Sequence, residues 1–289
     1  MVTRRRALRF TSLWLVAAAL ACGQNPQRIV STAPSITELL YALGLGDRIV
    51  GVDRFSRYPP EVLRKQKIGD YANPNLEVIA SLRPDLVMIP TNPVKLAERL
   101  GTLRLKVLEI DQEGIAKLYD SFRIVGQATG MVEPAAKLTS SVRGQLDAIR
   151  ARAAPLKRTR MMFVVGRTPN RLDGLIVVGQ ASYLNEIIAL AGGENVFRDA
   201  VASYPAVSLE EVLARNPDVI VDMGDMADTV GVTDEHKREV TSLWERLTNV
   251  AAVKQHRVYA VASDVYVVPG PRVVEAAKAF LAMLHPEAR

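Results

Sequence analysis

One segment occurs twice in this chain of 289 residues. Asn75–Ile89 reads NLEVIASLRPDLVMI and Ser208–Asp222 reads SLEEVLARNPDVIVD, with identities at Leu76/Leu209, Glu77/Glu210, Pro84/Pro217 and Asp85/Asp218. Each copy reads as a short helix, a Pro-Asp turn and a buried strand, because the residues after the turn are apolar and partly β-branched. A weaker pair sets Thr37–Gly44 (TELLYALG) against Asn185–Gly192 (NEIIALAG) in the same order. Two pairs in the same order point to a fold built from two related units.

Between the copies lies Glu133–Ala153 (EPAAKLTSSVRGQLDAIRARA). Leu138, Val142, Leu146, Ile149 and Ala153 recur at spacings of four, four, three and four, the period of a helix with one apolar stripe. At 1.5 Å per residue it runs about 30 Å, the width of a small domain. Pro134 stands near its start and Pro155 closes it. Strands and helices alternate on both sides of it. The expected fold is α/β: two Rossmann-like lobes with mainly parallel sheets, over 28–130 and 156–289, joined by one backbone helix over 131–155.

Ligands of such sheets sit beyond the carboxyl ends of the strands. The loops expected there carry Phe55, Tyr58, Tyr71, Tyr204 and Tyr266. The first strand runs into Ala33-Pro34-Ser35, which opens a helix with Ser35 expected as N-cap and Glu38 at the capping-box position.

The net charge of +6 invites a nucleic-acid reading, but Arg4, Arg5, Arg6 and Arg9 all fall in residues 1–21, which hold no acid, so the remainder carries +2. That leaves no basic footprint for nucleic acid. Residues 1–21 have the parts of an export signal: a basic start, the apolar run Leu13–Ala21 and small residues before Cys22. The run is too short for a comfortable membrane span. Ala19-Leu20-Ala21 fits an ordinary cleavage site; the same stretch resembles a lipobox, with Cys22 as the lipidated first residue of a tether over 22–27. Thr3–Arg9 partly resembles a twin-arginine signal. Cys22 is the lone cysteine, so no internal disulfide is possible.

The inventory for catalysis is thin. His236, His256 and His285 all fall in the second half, without ligand-spaced partners, and no nucleophile elbow, P-loop or dinucleotide fingerprint occurs. No enzymatic activity, metal or cofactor is expected.

The segments RIVSTAPSITELLYALGLGDRIVGVDRFSRYPPEV, GDYANPNLEVIASLRPDLVMI and HRVYAVASDVYVVPGPR resemble the periplasmic receptors of ABC importers for cobalamin and ferric siderophores, over about residues 28–286. Tyr58-Pro59-Pro60 leans toward the cobalamin-binding branch. The resemblance implies a monomeric extracytoplasmic receptor that captures a corrinoid between its lobes and hands it to a permease driven by an ATPase. It further implies that Glu77 and Glu210 dock the permease, and that Phe55, Tyr58, Tyr71, Tyr204 and Tyr266 offer aromatic faces to the ligand. Arg167 and Arg272 are expected at its oxygen atoms. One departure is Pro90, where the cobalamin receptor has a Trp after its PDLV strand. A ferric siderophore is the competing ligand on this scaffold. Haem receptors use a Tyr before the repeated helix, and here Tyr71 is displaced by one residue, with Asp70 at the matching place. Zinc and manganese receptors need His in the first lobe, which has none. A secreted structural or adhesion domain would leave the paired glutamates without purpose.

Overall fold

A computed structural model describes residues 25–70, 72–91, 95–224 and 233–288. The expectations for the export signal, Cys22 and Tyr71 lie outside them.

The first lobe holds β1 (Ile29–Ser31), α1 (Pro34–Ala42), β2 (Ile49–Val52), α2 (Leu76–Ser81), β3 (Leu86–Pro90), α3 (Leu96–Thr102), β4 (Val107–Ile110) and α4 (Ile115–Thr129). Its strands form a parallel sheet of order β2-β1-β3-β4. The long helix α5 covers Val132–Ala153, and Val142, Leu146, Ile149 and Ala153 of the stripe are buried.

The second lobe holds β5 (Thr159–Gly166), β6 (Leu175–Val177), α6 (Tyr183–Leu190), β7 (Gly193–Asn195), β8 (Ala206–Val207), α7 (Leu209–Arg215) and β9 (Val219–Asp222). It continues with α8 (Asp234–Glu245), α9 (Ala251–Lys254), β10 (Val258–Ala260) and α10 (Val273–Leu284). β5 pairs in parallel with β7 and β9, and β9 with β10. The two-residue β8 and its neighbour β6 pair antiparallel, an edge that their short sequences did not announce.

The repeat is a structural duplication down to its hydrogen bonds. Asp85 Oδ2 accepts the Arg28 N–H at 2.9 Å, and Asp218 Oδ2 accepts that of Arg160 at 3.3 Å. The Arg28 guanidinium donates to the carbonyls of Leu82 and Arg83 that end α2, and Arg160 donates to those of Arg215 and Asn216 that end α7. In each lobe one arginine satisfies helix-end carbonyls that would otherwise be orphaned. Arg83 and Asn216, at the same place in the two copies, both take positive φ, 46° and 43°.

Period-two alternation sorts the central strands between two layers. Ile29, Met88, Met161, Phe163, Val219 and Val221 face one large core, while Val30 and Val87 face a smaller one behind the first sheet. Met162, Val164 and Ile220 face another behind the second sheet, against Trp244. The large core belongs to both lobes. It joins Leu39 and Leu40 of α1, Phe122 of α4, Leu146 of α5, Ile187 of α6 and Phe280 of α10. The lobes are therefore fused along a shared apolar layer as well as tethered by α5. Gly126 lets α4 and α5 close up, since a Cβ there would stand 2.5 Å from that of Ala135.

Candidate functional site: the cleft at the strand ends

The loops after β3 and β4 of the first lobe face, across a cleft, the loop after β6 and the loop before β8 of the second. At its base is a cavity of about 200 Å³. Ser35 enters it from the start of α1, Thr91 from the end of β3, and Asp111, Gln112 and Glu113 from the loop after β4. The second lobe contributes Ser182, the N-cap of α6, and Tyr204. Tyr204 is 37% exposed, and its phenol lies by the Ser182 side chain. Desolvation, with a smaller contribution from the Glu113 charge, raises the phenol above its ordinary pKa. Of the expected ligand aromatics among the described residues, Tyr204 is the one that lines this cavity.

Tyr58 lies to the side, in a larger groove of about 670 Å³ between α1, α5 and α10. It is 43% exposed, with the Arg272 guanidinium 3.9 Å from its ring centre. Phe55 is half-buried beneath Arg54, which stacks at 4.7 Å. Its place after β2 agrees with the expected loop, but it lines neither cavity.

Three expected ligand residues are otherwise engaged. Tyr266 is 8% exposed, stacked on Phe280 with ring centres 5.7 Å apart and edge-on to Phe163. A 3₁₀ turn over Asp264–Tyr266 swings the ring into the core, and its carbonyl accepts the Tyr183 hydroxyl at 3.1 Å. Arg167 does not face the cleft. Its side chain is buried, donating to Asp222 Oδ2 at 2.9 Å. The same carboxylate accepts from the Trp244 indole at 2.7 Å and from Gly224 N–H, which stiffens the end of β9.

Arg272 is the third. Its guanidinium holds both oxygens of Glu38 and also meets Asp264 at 3.0 Å. Glu38 belongs to α1 of the first lobe and Arg272 precedes α10 of the second, so the pair crosses the interface. The capping box expected of Ser35 and Glu38 is absent. Pro34 occupies the first helical turn and Ala33 is the N-cap. Ser35 instead donates to Gln112 Oε1 at 2.6 Å. Burial outweighs the Arg272 charge and holds the Glu38 carboxyl at about 7. The repeat places Glu186 of α6 opposite Glu38, and it too crosses the interface, accepting the Ile115 N–H at the start of α4 at 3.3 Å.

Glu77 and Glu210 lie in the first turns of α2 and α7, both exposed. Neither carboxylate has a hydrogen-bond or ion-pair partner among the described residues. The sequence reading missed the cavity's polar lining. The signal was available in Asp111-Gln112-Glu113-Gly114, a polar run directly after a strand. Among the described residues no group of His, Cys, Asp and Glu is placed to hold a metal ion, and no helix is long and apolar enough to cross a membrane.

Comparison with known proteins bears on this geometry. Residues 29–265 match the family model described as periplasmic binding protein. The vitamin B12-binding protein of Vibrio cholerae is 28% identical over 274 residues, 94% of each chain. An uncharacterized ABC transporter substrate-binding lipoprotein of Bacillus subtilis is 29% identical over 269 residues, covering 91% of this chain and 82% of the relative. The crystal structure of the periplasmic vitamin B12 binding protein BtuF of Vibrio cholerae superposes with a TM-score of 0.77 at 27% identity, over 91% of this chain and 98% of that one. The match runs through both lobes and α5, taking in the repeated segment and the cleft loops. The chain belongs to the periplasmic binding protein family, an extracytoplasmic class of receptors.

Proposed function

We propose that this protein is the substrate-binding receptor of an ABC importer, capturing a corrinoid in the cleft and delivering it to an inner-membrane permease powered by an ATPase. The observation that carries this is the cleft itself: loops from both lobes converge at the strand ends around Tyr204, in a chain that resembles vitamin B12-binding proteins over nearly its whole length. A flat aromatic face with a few polar groups suits a broad corrin body. The cavity, at about 200 Å³, is smaller than the ~300–1,000 Å³ usual for a whole ligand. It therefore takes peripheral groups, while the macrocycle lies across the open mouth.

No reaction is required. Binding is followed by docking, in which Glu77 and Glu210 present matched negative points from two related lobes, an arrangement that fixes orientation more than affinity. The protein acts as a monomer held at the outer face of the membrane through Cys22. Equilibrium dialysis with cyanocobalamin tests the site. Tyr204→Ala weakens binding about tenfold, the loss of ~1.4 kcal/mol of aromatic contact. Tyr266→Phe, which alters a core ring, leaves it within twofold. Equal affinity of wild type and Tyr204→Ala would move the ligand elsewhere.

A further inference from the structure

Among the described residues the cavity is lined by two carboxylates, Asp111 and Glu113, and by no lysine or arginine. Asp111 is matched by Lys117 at 3.2 Å. Glu113 is exposed, and its carboxylate has no hydrogen bond or ion pair among the described residues. The arginines of the surrounding loops are already engaged: Arg167 by Asp222, Arg272 by Glu38 and Asp264, and Arg54 by Asp70 at 3.2 Å, with Arg57 partnered too. The larger groove sets Glu61 and Glu275 beside Lys278, with Glu38 and Arg272 paired to each other.

We infer that the cleft discriminates by charge: it accepts neutral or cationic, amide-bearing ligands and rejects those whose rim carries free carboxylates, with Glu113 as a specificity-determining residue. The inference rests on the corrinoid reading and sharpens it to fully amidated corrinoids. An amide NH₂ donates to Glu113, and its carbonyl accepts from the hydroxyls of Ser182, Ser203 or Tyr204. A carboxylate in the same place has no hydrogen to donate and sets two anions side by side in a partly desolvated space. That repulsion is specificity against the wrong ligand: Lys117 is taken by Asp111, and among the described residues no lysine or arginine lines the cavity to offset it.

The test compares cyanocobalamin with its monocarboxylic acids, in which one side-chain amide is hydrolysed, by competition against the purified full-length mature protein. The amide binds at least tenfold tighter at pH 7.5, and Glu113→Gln narrows that ratio several-fold. Lowering the pH until the ligand carboxyl protonates narrows it in the wild type. A wild-type ratio near one, or a ratio that Glu113→Gln leaves unchanged, overturns the inference. Two ferric hydroxamates differing only in a terminal ammonium or carboxylate are run alongside. If neither corrinoid binds, the corrinoid reading fails while tighter binding of the cationic chelate upholds the charge rule. Equal binding of the two chelates, or binding of neither, overturns it.

Discussion

Glu38 and Arg272, 234 residues apart, join the two lobes through a doubly hydrogen-bonded ion pair whose side chains are 3% and 13% exposed. Asp264 touches the same guanidinium from the second lobe, and the ring of Tyr58 lies against it from the first. A buried pair of this kind adds little net stability over an apolar substitute, but breaking it strands a charge. Arg272→Met leaves Glu38 and Asp264 without their shared cation and costs about 3–5 kcal/mol in urea unfolding. Glu38→Gln costs less, because Asp264 still holds Arg272. The double variant recovers part of the loss; strict additivity would show that the pair is not coupled.

The pair also sets a pH dependence. Burial is the largest influence on Glu38, with Asp264 and Glu275 adding to it and Arg272 opposing it, and the carboxyl rests at about 7 against an ordinary 4.5. Between those values the native state binds the extra proton. Stability therefore falls as pH rises from about 4.5 to about 7. Burial also raises Asp53, which acts in the same direction. Urea midpoints from pH 4.5 to 7.5 decline in the wild type and flatten in Glu38→Gln; parallel curves would contradict the assignment to Glu38.

Gly126→Ala tests the fused core. The added methyl meets Ala135 Cβ at 2.5 Å and the Met131 carbonyl at 3.0 Å. It pushes α4 off α5 at a cost of about 1–3 kcal/mol, typical of overpacking. Gly144→Ala, on the same helix α5 with open space around its Cβ, is neutral or stabilising, since Ala is the better helix former. A thermal melt of both variants separates packing from propensity.

What the sequence revealed depended on whether the determinant was local. The stripe from Leu138 to Ala153 placed α5, which runs from Val132 to Ala153, inside the span 131–155. The paired Pro-Asp turns placed β3 and β9 because apolar runs after a turn have few alternatives. Glu38 was misread because Ser35-x-x-Glu38 has capping-box spacing, whereas its true partner comes from the other end of the chain. Arg167 and Tyr266 sit in loops, as expected, but side-chain direction there is set by tertiary partners: Asp222 draws one in, Phe280 the other. The acid closing the apolar run Asp218–Asp222 was a signal for the first. Nothing local distinguishes Tyr266, which packs inward, from Tyr204, which faces the cavity.

Docking is separable from binding. Glu77 and Glu210 stand in matched first turns of α2 and α7, each helix packed into the smaller core of its own lobe through Ile79 and Val212, and the large core on the other face of the two sheets joins the lobes. Reversing both to Lys leaves ligand affinity within twofold and abolishes receptor-dependent uptake. Uptake that survives the double reversal would reduce both to ordinary helix-end acids favoured by the dipole.

Titration calorimetry of the purified protein with cyanocobalamin tests the central claim most directly. A saturable isotherm at one ligand per chain, with micromolar or tighter affinity, is the predicted result. The absence of saturable heat and of retained ligand in matched dialysis, at concentrations up to tens of micromolar, would contradict it.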